Sequence, residues 1–141
     1  MKYSTEIRYE KTFPGQFKKL AALSEFIRKA AERGGFDEIQ VYELQLAVDE
    51  AFSNIVEHAY GGESEGEIEC ICMDSASDMT IVLHDWGEPF DPGSVPEPDF
   101  SVPLEELNSR GAGLVLIRKI MDKTEFRFSE QGNFLIMTKH K

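Results

Sequence analysis

The apolar pattern of this chain changes period at Gly61-Gly62, and that switch limits the folds open to it. Ahead of it, Phe17, Leu20, Leu23, Ile27 and Ala30 recur at helical spacing over residues 16–33. Val41, Leu44, Val48, Ala51, Phe52, Ile55 and Ala59 do the same over residues 37–60. Gly34-Gly35 separates the two predicted helices, and Gly61-Gly62 ends the second. Beyond it the pattern alternates every second residue, over 67–73 and 79–85, with a polar turn at 74–78. Two more such stretches, 124–129 and 133–139, are hinged on Gln131-Gly132, and another over residues 3–13 ends at Pro14-Gly15. A third helix is predicted from Gly113 to about Asp122. Strand, two helices, two strands, loop, helix, two strands predicts an α+β fold: a two-layer sandwich, its mostly antiparallel mixed sheet backed by three helices on one face.

The length of 141 residues suits one domain, 1–141. Twenty-six acidic against 15 basic residues leave a net charge of −11, which argues against a nucleic-acid surface. Any anionic ligand then needs a local device: backbone N–H groups, a metal ion, or one or two basic side chains. The first 13 residues lack an apolar signal core, and no apolar run reaches the length of a membrane span, so a cytoplasmic location is expected. Cys70 and Cys72 share a strand face with Ile68, as two small buried hydrophobes would.

Three stretches carry chemistry-bearing residues. On the second helix, at about 100° per residue, Glu43, Glu50, Asn54 and Glu57 form one stripe, with His58 at its edge. Such a stripe is either a wet flank or a holding surface. In the second, Asp85 continues the core-facing series Met79, Ile81 and Leu83, a costly place for a carboxylate unless something donates to it. Gly87 would let the backbone turn and come close to a flat ligand, although Asp-x-Gly also serves simple turns. In the third, Arg110, Gly111 and Gly113 stand just before a helix whose apolar positions are Leu114, Ile117 and Met121. Free N–H groups at a helix start attract anions, while a glycine loop capped by Ser109 explains the same residues more plainly. Five of the six prolines fall in the intervening stretch, residues 86–110.

In this order, E-A-x-x-N on a helix, D-x-G-x-P-F-D after a strand and R-G-x-G-L at a helix start resemble the ATP-binding (Bergerat) fold. Histidine kinases, DNA gyrase and the Hsp90 chaperones share that fold. The length is similar to that of the anti-sigma-factor serine kinases of bacterial partner switching, and the resemblance covers residues 37–141. It implies that Glu50 is the catalytic carboxylate and that Asn54 ligates Mg²⁺. It implies that Asp85 accepts a hydrogen bond from the adenine amino group, with Gly87 beside the base. Gly111 and Gly113 match the phosphate cradle, Arg110 is the implied partner of the terminal phosphate, Leu114 joins the nucleotide-binding residues, and residues 86–110 match the ATP lid. The implied cofactors are ATP and Mg²⁺. The implied partners are a STAS-type anti-sigma antagonist phosphorylated on serine, a sigma factor, and a second copy in a homodimer. His58 is read as a structural or indirect supporting residue, and Glu57 as solvated. The chain departs from the family after the last hairpin glycine: the threonine that supports the aspartate is replaced by Asn133 and Phe134, with Asn133 or Thr138 as substitutes. A non-catalytic ATP-binding module that grips a partner is the second reading. A detached sensor-kinase domain is a third, and it would need a helix bundle absent from these 141 residues.

Overall fold

The computed structural model describes residues 6–89 and 109–141, with the backbone alone for 109–113. The expected lid lies for the most part outside the described residues. The chain runs β1 (Ile7–Pro14), α1 (Leu20–Arg33), α2 (Glu38–Asn54), β2 (Glu67–Asp74), β3 (Asp78–Asp85), α3 (Ser109–Ile120), β4 (Lys123–Ser129) and β5 (Gly132–His140). A 3-10 turn at Phe17–Lys19 precedes α1, and a π-helical turn at Ile55–Ala59 extends α2.

The second helix starts where its chemistry dictates. Asp37 accepts from the Gln40 N–H at 2.8 Å, and the Gln40 side chain accepts from the Asp37 N–H at 3.1 Å. This reciprocal box satisfies two N–H groups that a helix start leaves unpaired. From there α2 buries Val41, Leu44, Ala47, Val48, Ala51 and Phe52, while α1 buries Leu23, Ile27, Ala30 and Ala31. α2 is the middle helix, packing on α1 along one side and on α3 along the other.

The strands form one sheet in the order β1-β2-β3-β5-β4, antiparallel at every pairing. Alternation sends Ile68, Cys70 and Cys72 from β2, and Met79, Ile81 and Leu83 from β3, into the core against the helices. Both cysteines are fully buried thiols, as expected. One row across the sheet reads Phe13, Ile68, Asp85, Asn133, Phe128. An aspartate and an amide thus occupy the centre of an otherwise apolar row.

Two elements differ from expectation. α2 does not run evenly to Tyr60: the Tyr60 N–H reaches back five residues to the Ile55 carbonyl at 3.1 Å, and the Gly62 N–H reaches the Val56 carbonyl at 2.8 Å. α3 begins at Ser109 rather than at Gly113, so Arg110, Gly111 and Gly113 form its first turn instead of a loop ahead of it. Glycine costs a helix interior about 1 kcal/mol, which makes it read as a breaker even where a first turn accommodates it.

The core depends most visibly on Phe52, fully buried, with the Phe13 ring edge-on to it at 6.4 Å. Phe52→Ala is expected to lower unfolding free energy by roughly 3–5 kcal/mol. Ile39→Ala, at a position 72% exposed, should stay within about 0.5 kcal/mol of the parent. Urea titration of both variants checks the contrast.

Candidate functional site

A recess of about 360 Å³, part of it open to solvent, lies where α2, α3 and the ends of β3, β4 and β5 meet. Ala51, Asn54 and Ile55 form the α2 side, and Leu114 and Ile117 the α3 side. Asp85 comes from β3, Phe126 and Phe128 from β4, and Asn133, Phe134 and Leu135 from β5. Its described walls are therefore mostly apolar, with one carboxylate and two amides.

Asp85 is 3% exposed. Its Oδ1 accepts the Gly87 N–H at 2.9 Å and the Asn133 Nδ2–H at 2.9 Å. Burial raises the Asp85 carboxyl above its ordinary range, while the bonds from Asn133 and Gly87 and the nearby His84 oppose that rise. Of the two expected substitutes for the family threonine, the register selects Asn133. It lies opposite Asp85, while Thr138 pairs with Thr80 farther along the sheet.

Gly87 has a reason the sequence did not reveal. A Cβ there would stand 2.4 Å from the Ala59 carbonyl oxygen and 2.6 Å from its carbon. The missing side chain thus admits the π-turn, and the next residue, Glu88, donates its N–H to Ala59 at 2.7 Å. Gly132 is likewise forced: its φ of +118° disfavours any side chain, and a Cβ would meet the Asp85 carbonyl oxygen at 2.6 Å.

Asn54 is buried and walls the recess. Glu50 lies one turn earlier on α2, half-buried and not among the walls. Burial, then the charge of Glu57, raises its carboxyl above the ordinary range. Glu57 keeps 40% of its side chain exposed, and its Oε2 is 3.8 Å from His58 Nε2. The structure therefore brings Asn54, Asp85 and Leu114 to one recess, ties Gly87 to it by hydrogen bonds, and leaves Glu50 beside it. The Arg110 side chain lies outside what is described, and Gly111 and Gly113 are described as helical backbone alone. Among the described residues no group of three or more His, Cys, Asp or Glu could hold a metal by itself.

The sequence reading missed Asp49 and the wall formed by Phe126 and Phe128. Asp49 is half-buried, and its Oδ1 has no hydrogen-bond partner among the described residues. Its carboxyl is pushed up to about 6, first by burial and then by the Glu50 charge. A raised carboxyl binds its proton more tightly folded than unfolded. Its stabilising contribution is present below the ordinary value of 3.8 and lost as pH rises through about 6. Asp49→Asn removes that charge, so its gain over the parent should be largest near pH 7 and shrink toward pH 4. Denaturant titrations across that range check the slope, and a pH-independent difference would count against it.

Residues 13–139 match the family described as histidine kinase-like ATPase domain. The chain is 32% identical over 135 residues to the serine-protein kinase RsbW of Halalkalibacterium halodurans, covering 92% of this chain and 81% of that one. To the serine-protein kinase RsbW of Bacillus thuringiensis it is 31% identical over 137 residues, covering 94% and 84%. Among solved structures, a Mycobacterium tuberculosis chain with RsbU and RsbW domains superposes with a TM-score of 0.67 at 15% identity. That likeness covers 94% of this chain and 32% of that one. The catalytic domain of histidine kinase ThkA superposes at 0.53 with 16% identity, covering 94% and 97%. These two likenesses speak for the fold alone. The chain belongs to the histidine kinase-like ATPase family, in the group of the RsbW serine-protein kinases.

Proposed function

We propose that this chain, as one domain over residues 1–141, is a protein-serine kinase that uses Mg-ATP. Its phosphoacceptor would be a serine on a STAS-type anti-sigma antagonist, and it otherwise sequesters a sigma factor, acting as a cytoplasmic homodimer. The observation that carries the nucleotide reading is the buried Asp85 carboxylate, braced on Oδ1 and walled into the same recess as Asn54. The identity to the RsbW kinases over most of the chain supports the phosphotransfer. No described helix is long and apolar enough to cross a membrane.

Asp85 accepts the amino group of adenine. Guanine offers a carbonyl oxygen at that position, so acceptor would meet acceptor. Phe126 and Phe128 contribute apolar surface for the base. Residues 86–110 form the lid, and Arg110, Gly111, Gly113 and Leu114 hold phosphates from the first turn of α3, where helix N–H groups favour anions. Asn54 fits magnesium, because that ion takes one or two protein oxygens and completes its shell from phosphates and water. Bound magnesium supplies charge neutralisation at the phosphates. Glu50 takes the proton of the serine hydroxyl as its oxygen bonds to phosphorus and the bond to the diphosphate leaving group breaks. A raised carboxyl is the better base for that late transfer.

One observation favours the second reading, a module that binds ATP and grips a partner without phosphoryl transfer: Glu50 is not among the walls of the recess. Glu50→Gln separates the two. On the kinase reading the variant keeps its ATP-induced rise in melting temperature and loses transfer to the cognate antagonist by about 100-fold or more. Asp85→Asn should shrink the melting shift itself. Radiolabel transfer alongside thermal melting reads both; unchanged labelling by Glu50→Gln would end the kinase assignment, and an undiminished shift in Asp85→Asn the nucleotide site.

A further inference from the structure

Asn133 occupies the first inward-facing position of β5 and is 6% exposed. Its amide nitrogen carries two N–H groups, and both are used. One goes to Asp85 Oδ1 at 2.9 Å and the other to the Gly87 carbonyl at 2.9 Å. Turned over, the amide would point its oxygen at two acceptors, so these partners fix its orientation. Among the described residues, Asp85 Oδ2 receives no such bond.

We infer that Asn133 is the specificity-determining positioning residue of this recess. It clamps the Asp85 carboxylate, through Oδ1, and the Gly87 carbonyl together, so that the aspartate keeps its second oxygen, Oδ2, to accept from a base. That selects a base bearing an amino donor over one bearing a carbonyl. The role rests on the nucleotide reading and adds to it a residue that departs from the family pattern.

A threonine hydroxyl has one hydrogen to donate, whereas the asparagine amide donates to both partners at once. Across the sheet from Asp85 stand Ile68 on β2 and Asn133 on β5. The titratable groups near it are His84 on its own strand and Tyr60 after the π-turn. Among the described residues, α3 and β4 offer apolar walls, Leu114, Ile117, Phe126 and Phe128. Of the groups that favour the charged form, Asn133 ranks first, ahead of Gly87 and His84. Without it the carboxyl rises further. A protonated carboxyl donates a hydrogen bond, so it would lose adenine and tolerate guanine.

Threonine and valine share one shape, and only threonine can donate. Calorimetric titration of ATP and GTP with magnesium, from about pH 5 to about pH 8, compares the parent with Asn133→Thr and Asn133→Val. Valine is expected to weaken ATP roughly tenfold at neutral pH. Its acid-side loss of affinity should begin at higher pH, and its preference for ATP over GTP should narrow. Threonine should stay within about threefold of the parent, with the acid limb in place. Valine and threonine variants alike in acid limb and nucleotide preference would overturn the role. Should the valine variant not fold, Asn133→Ser against Asn133→Ala gives the same contrast. A parent that binds neither nucleotide would overturn the nucleotide reading, and this role with it. A parent that binds ATP beside two indistinguishable variants removes the role of Asn133 alone.

Discussion

The carboxylate of Asp85 sits in the middle of a sheet row otherwise filled by Phe13, Ile68 and Phe128, with Asn133 as its one polar neighbour there. Burying an unpaired charge costs several kcal/mol, and each hydrogen bond to a charged group contributes about 1.5–3 kcal/mol. The two bonds onto Oδ1 are thus of the size needed to offset that burial, and they constrain everything around them. Gly87 must turn its N–H back toward the carboxylate, Asn133 must lie directly across, and β5 must keep its register. A slip of one residue would point Asp85 at the open face and send His84 inward.

The π-turn after α2 joins this strand end to the helix that carries Asn54. An extra residue in the turn sets the Ala59 carbonyl against Gly87, where the Glu88 N–H reaches it. Tyr60 continues the connection, donating its hydroxyl to the Glu67 carbonyl and accepting the Trp86 N–H at 3.1 Å. Backbone from α2, the start of β2 and the end of β3 is therefore tied together at one corner of the recess. Wide helical turns of this kind recur at functional sites, and here the cause is visible: a regular turn would not present Ala59 to Gly87 in the same way.

The helices and strands were legible because their apolar periods are strong, and Asp85 because alternation extends an inward series by one residue. The π-turn was not, since Ile55, Val56 and Ala59 suit an α-helix equally well and only docking against Gly87 distinguishes the two. The start of α3 was placed late, because Gly111 and Gly113 weigh against a helix anywhere but its first turn. Asp49 reads as one more wet carboxylate beside Glu50; its raised titration comes from burial that only the folded packing supplies. The support for Asp85 was half legible. Sequence offered Asn133 and Thr138, and strand register, which depends on pairing across 48 residues of chain, chose between them.

The charge of the chain bears on how the recess is built. With a net charge of −11, the protein repels a polyphosphate as a whole. Glu50, beside the recess, titrates above its ordinary range, so added negative charge there would raise it further. Yet of the polar wall residues described, Asp85 alone carries a charge; Asn54 and Asn133 are amides. In the proposed arrangement the charged acceptor meets the neutral base, and the neutral oxygen of Asn54 meets the charged end with its cation. A carboxylate in place of Asn54 would grip a bare cation more strongly, but it would also add repulsion against the phosphates. An amide at that position suits an ion that arrives already bound to its anion.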